Sequence, residues 1–120
     1  MGLWAFVWLV GHMLAWTGLE HYWVWPWIWE EVRDLPCVRY GIAGLALLVP
    51  LALTSFRAAQ DAMGRTAWQW LHRLVYLSAA LAVVHLWIIS RRDYTDAKLA
   101  AAVLAVLTVF RIGCAIIDRR

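Results

Sequence analysis

Long uncharged runs and short charged clusters take turns along this chain. The runs cover Leu3–Leu19, Tyr40–Phe56, Thr66–Ser90 and Leu99–Ile117, which is the hydropathy pattern of a polytopic membrane protein. At about 1.5 Å per residue the first run rises roughly 25 Å, just short of a bilayer's hydrocarbon core, so its flanking tryptophans are expected at the interface. It lacks the basic start and small-residue cleavage site of a signal peptide and reads as a helix. The pattern predicts an all-α, polytopic membrane four-helix bundle, one unit over residues 1–120, with helices over about 3–19, 40–56, 66–90 and 99–117.

Between the first two runs lies EHYWVWPWIWEEVRDLP, residues 20–36. Trp23, Trp25, Trp27 and Trp29 alternate there as in a strand, but Pro26 interrupts them and no partner run exists. The segment reads as an interfacial loop with a short amphipathic turn and indoles at headgroup level; an aromatic docking surface is the rival reading. Gly11 and Gly18 in the first helix, and Gly41 and Gly44 in the second, leave room for close neighbours. Pro50 is expected to kink the second helix. Arg57–Arg65 reads as a polar connection and Arg91–Lys98 as a charged turn. Ala100, Ala101, Ala102 and Ala105 suit tight packing of the fourth helix, where Arg111 is near enough to the end to snorkel.

The composition agrees with the pattern: 64% of the 120 residues are hydrophobic, 16% are charged and ten are tryptophan. A soluble domain of this size could not bury that much apolar surface. The net charge of +3 is small and scattered, which argues against nucleic acid as a partner. Cys37 and Cys114 fall near opposite membrane faces, too far apart for a disulfide, and read as packing residues. No CxxCH motif offers covalent haem attachment. The side holding both termini carries six arginines against two acids; the other carries five cations against six acids. Both termini are therefore expected in the cytoplasm.

Histidine is the conspicuous chemistry. An ionisable residue inside a membrane helix is costly unless paired, and His12, His72 and His85 all lie inside predicted spans. A single such residue is often only a satisfied hydrogen-bonding group, but three of them, two on one helix, point to a ligand set. His21 sits at the outer rim, where a solvated interface residue is the ordinary reading, and is a reserve candidate. Thirteen residues separate His72 from His85, a rise of about 19–20 Å that would place two haems at different depths. They stand roughly 140° apart around an ideal helix, or about 100° in a supercoiled one, so each haem would occupy its own sector. Imidazole is a suitable axial ligand for haem iron, and apolar helices exclude water from it. By depth His12 and His85 form a natural pair. His12 with His72 and His21 with His85 is the other pairing, although spacings of nine and thirteen match poorly.

Other chemistries lack their parts. The spans contain no HExxH, no facial triad and no acid for a bare zinc or iron site. No nucleophile is set beside a histidine and an acid, and no glycine-rich phosphate loop is present. A flavin or nicotinamide could act only through a partner protein.

Several stretches carry a family resemblance: Leu3-Trp4-Ala5-Phe6 leading to Gly11-His12-Met13-Leu14; Leu51-Ala52-Leu53-Thr54-Ser55; Trp68-Gln69-Trp70-Leu71-His72-Arg73-Leu74-Val75-Tyr76-Leu77; and Val84-His85-Leu86-Trp87. Together they resemble the MsrQ (YedZ) family, haem-binding membrane subunits of periplasmic methionine sulfoxide reductase systems, within the ferric reductase-like transmembrane superfamily. The resemblance covers nearly the whole chain and implies that His12, His72 and His85 are ligand positions for haem b. Family members have about six helices, and this chain corresponds to a shortened form starting at the third. The resemblance further implies a bacterial inner-membrane location and electrons from a cytoplasmic flavin reductase or the quinone pool. Their acceptor would be a periplasmic molybdopterin methionine sulfoxide reductase.

The expectation is thus a b-type cytochrome subunit that transfers electrons without substrate chemistry of its own, with one secure bis-histidine haem and a second, weaker site at His72. A stand-alone ferric or quinone reductase-like protein and a cofactor-free helical assembly partner are the alternatives.

Overall fold

The computed structural model describes the backbone of residues 2–90 and 94–117, and the side chains of residues 3–90 and 94–114. Arg91, Arg92 and Asp93 of the expected charged turn, and Asp118, Arg119 and Arg120 of the charge count, lie outside them. The described residues are helical, with no strand among them. Helix α1 spans Gly2–Ala15 and continues as a π-helical turn over Trp16–Glu20. The Thr17 hydroxyl donates to the Met13 carbonyl at 3.0 Å, the back-bonding that loosens a helix's own ladder.

Tyr22 and Trp23 then reverse the chain with positive φ values of 48° and 61°. Helix α2 follows over Trp25–Asp34. Here the structure differs from the expected loop with a short turn. Pro26 falls in the helix's first turn, where its missing N–H would have no partner in any case, so it starts a helix rather than breaking one. Helical spacing buries Ile28 and leaves the four alternating tryptophans exposed, as side chains meeting headgroups would be.

Helix α3 spans Pro36–Leu53, also entered through a proline. The expected polar connection contains a short helix, α4, over Arg57–Met63. Gly64 follows with φ 76° and ψ 150°, a conformation essentially confined to glycine. The third expected helix is two segments, α5 over Arg65–His72 and α6 over Leu74–Ile89. They meet at Arg73, where the Tyr76 amide bonds back to the Arg73 carbonyl at 3.1 Å, three residues away, tightening one turn. Helix α7 runs from Thr95 to Ile117. Among the described residues three helical stretches, Pro36–Leu53, Arg65–Ile89 and Thr95–Cys114, are long and apolar enough to cross a membrane.

The dominant interface joins α3 to α6, with α1 and α2 against α3 and α7 against α6. Gly44 is buried there; a Cβ on it would sit 3.5 Å from the Ser78 carbonyl oxygen. The Ser78 hydroxyl donates to the Gly44 carbonyl at 2.8 Å. Gly18 packs under the Trp23 indole, whereas Gly11 faces open space, not the close neighbour expected of it. Cys37 and Cys114 are both free thiols. Most other large apolar side chains are exposed, as suits helices solvated by lipid.

Ser78→Ala removes the buried interhelical hydrogen bond. Its expected cost is about 0.6 kcal/mol, the average for such bonds in membrane proteins. Denaturant titration in mixed micelles measures it, and an unchanged midpoint would mean that packing alone holds α3 to α6.

Candidate functional site

Helices α1 and α6 bring His12 and His85 together. Their ring centroids lie 6.4 Å apart with the planes at 81°. An edge-to-face aromatic pair spans about 4.5–7 Å, so this pair sits near the wide end of that range. Two imidazoles bound to opposite sides of one metal, each through a bond of about 2.0–2.1 Å, would have centroids roughly 6.3 Å apart. The separation leaves room for one metal atom between the rings.

The tautomer of His85 follows from its other contact. Its Nδ1 lies 2.6 Å from the main-chain carbonyl oxygen of Cys37 on α3. A carbonyl only accepts, so Nδ1 carries the proton, and in the neutral ring Nε2 is left with its lone pair. A second contact on one nitrogen that frees the other is the usual support of a ligating histidine. Gly41 makes the approach feasible: a Cβ there would sit 2.9 Å from Nδ1 and 3.0 Å from Cε1 of His85. His12 is exposed on the isolated chain, and among the described residues its one ring or polar partner is His85.

His72 stands in a different setting. Its Nε2 is 3.1 Å from the Thr54 hydroxyl. That hydroxyl donates its own proton to the Pro50 carbonyl at 2.7 Å, so it accepts from His72 and places a proton on Nε2. Trp68 stacks on the imidazole with centroids 4.0 Å apart, and its indole N–H donates to the Thr54 carbonyl at 2.8 Å. The ring is clamped between α3 and α5, and none of its described contacts is another histidine. His21 is buried beside Trp16, whose ring centroid is 4.8 Å away, and its Nε2 approaches Glu31 on α2.

Of the four histidines found in the sequence, the structure joins two and leaves two apart. The Cys37 carbonyl and Thr54 were not foreseen as partners. A main-chain oxygen has no residue signature, and Thr54 reads only as part of the expected helix over 40–56 and of one stretch that carries the resemblance. Gly41 did carry a signal, as one of two glycines on the second helix.

Residues 1–83 match the family described as ferric reductase like transmembrane component. The chain belongs to that family. With its long apolar helices, this ferric reductase like chain is a membrane protein. The family match includes His12 and His72 and ends two residues before His85. Three relatives share the name protein-methionine-sulfoxide reductase heme-binding subunit MsrQ. One, from Caulobacter vibrioides, is 36% identical over 112 residues, covering 93% of this chain and 53% of the relative. Another, from Rhodospirillum rubrum, is 36% identical over 120 residues, covering 100% of this chain and 58% of the relative. A third, from Deinococcus radiodurans, is 44% identical over 85 residues, covering 71% and 42%. The chain thus spans about half the length of the curated relatives it matches. No solved structure matches it.

Gly41→Ala is expected to push the His85 ring off α3 and break its bond to the Cys37 carbonyl. The slowly exchanging Nδ1 proton of a histidine-labelled sample would then be lost in NMR spectra. Its retention would mean that ring and helix move together and that the glycine is dispensable.

Proposed function

We propose that this chain is the haem-carrying part of a b-type cytochrome subunit that conducts electrons across a bacterial inner membrane. His12 and His85 are the residues that would hold its haem b. The observation that carries the reading is the pair itself: two imidazoles 6.4 Å apart, one with its tautomer set for metal binding. When bound, haem would supply one-electron chemistry.

The chain's own residues give that chemistry its setting. The Cys37 carbonyl orients His85, holds the proton on Nδ1 and raises the donor strength of Nε2. Gly41 lets the ring lie against α3 without a clash. His12 comes from the opposite side on α1, and a macrocycle laid between them would cover an imidazole otherwise exposed among apolar side chains. His72 is the ligand of a second, weaker haem; to bind iron through Nε2 it must release the Thr54 hydroxyl. His21 is the reserve candidate at the rim.

The relatives' shared name, heme-binding subunit of a protein-methionine-sulfoxide reductase, supports a methionine sulfoxide reductase as the partner. Electrons enter on the cytoplasmic side, where both termini lie, from a flavin reductase or the quinone pool. They leave to a periplasmic molybdopterin methionine sulfoxide reductase. The chain itself performs no substrate chemistry.

The test is a dithionite-reduced minus oxidised spectrum of the detergent-purified protein with haem quantified as the pyridine haemochrome. Sharp low-spin b-type bands are expected, lost in His12→Ala and in His85→Ala. His72→Ala should keep the main bands and lose only the minor share of haem. A haem-supplemented chain without those bands would leave a cofactor-free bundle and overturn the proposal.

A further inference from the structure

Helix α7 meets the rest of the chain chiefly through α6, and an open groove of about 520 Å³ runs between the two. Its walls are apolar: Ala79 and Ala82 from α6 face Leu99, Val103 and Leu107 from α7. Asp96 is the one charged side chain that lines it, and it stands at one end. On each helix the lining residues recur at three- and four-residue spacing, so each wall is one continuous stripe.

One further step of that spacing takes the α6 stripe to Tyr76 and the α7 stripe to Arg111. The two meet there: the Arg111 guanidinium carbon lies 5.8 Å from the centroid of the Tyr76 ring, at the end opposite Asp96. Arg73 stands at the same end, three residues before Tyr76, with its guanidinium 4.0 Å over the Trp70 ring. Both contacts use ring faces, and among the described residues neither guanidinium has a hydrogen bond or a carboxylate partner. Their N–H donors are left for an acceptor from outside the chain. Arg111 falls within the apolar stretch Thr95–Cys114, where an unpaired charge is costly.

We propose that the groove between α6 and α7 binds one anionic phospholipid, with its phosphate on Arg111, Arg73 close by, and an acyl chain along the apolar walls. Guanidinium groups hold phosphate through paired N–H donors, and basic pockets between membrane helices suit acidic headgroups. Length fits the chain: Leu99 to Arg111 rises about 18 Å, close to one leaflet's half of a hydrocarbon core of about 30 Å. Charge fixes the direction, because the reverse orientation would set the phosphate against the Asp96 carboxylate. A zwitterionic lipid offers the same phosphate but adds a cation that the two arginines repel. No histidine lines the groove, so the site does not rest on the haem reading.

The test is native mass spectrometry of the full chain in detergent, titrated with dioleoylphosphatidylglycerol or with dioleoylphosphatidylcholine. Expected is one phosphatidylglycerol retained per chain, about tenfold more tightly than phosphatidylcholine. Arg111→Gln should abolish that preference. Val103→Trp, which sets an indole in the groove, should abolish retention with both arginines intact. Both positions are exposed, so each variant should keep its helix content by circular dichroism. Arg57→Gln, on α4 and outside the groove's walls, should retain the lipid as the unmodified chain does. Equal retention of the two lipids, or a preference indifferent to Arg111→Gln, would overturn the headgroup site. Retention unchanged in Val103→Trp, or lost equally in Arg57→Gln, would overturn the groove and leave a general attraction of anionic lipid to a basic surface.

Discussion

The close approach of α6 to α3 is the constraint on which the rest depends. Two glycines on α3 lie in it. At Gly44 the main-chain carbonyl receives the Ser78 hydroxyl, and a Cβ there would make only ordinary van der Waals contact with the Ser78 backbone. One turn earlier, Gly41 leaves the space that the His85 ring fills. Once α6 is seated, the Cys37 carbonyl and the His85 nitrogen meet, and α1, packed on the same helix, presents His12 across from it. Packing, tautomer and the meeting of the two imidazoles are consequences of a single interface.

The two ends of the histidine-bearing segment are built differently. His85 has its Nδ1 engaged and its ring 6.4 Å, centroid to centroid, from another imidazole. His72 has its Nε2 engaged, an indole stacked on its face and no facing histidine. The tightened turn at Arg73 lies between them, so the two rings do not stand on one continuous helix. One chain thus sets the same side chain beside another imidazole at one depth and in a hydrogen-bonded clamp at another.

Much of this was legible in the sequence. Uninterrupted apolar runs announced the long helices, and histidines within them announced where chemistry could reside. The pairing of His12 with His85 followed from depth alone. What stayed hidden was local. Pro26 was weighed as a breaker because a strand-like alternation surrounded it, yet at the first turn of α2 it favours the helix. Gly11 reads as a packing residue by the same rule as Gly41, and only the fold reveals that it faces open space. The Thr54–His72–Trp68 cluster joins the end of α3 to α5 across the intervening α4, and hydropathy carries no information about such a contact.

The His85 support has one more property. Its acceptor belongs to the main chain, so the side chain at residue 37 can change without removing it. Serine, alanine or valine there would present the same oxygen from the same turn. The protonation state of the imidazole is thereby insulated from drift at the residue that sets it. Vulnerability moves four residues along, to a glycine where a single methyl group reaches the ring. A lineage of such chains would tolerate variety at the first position and very little at the second.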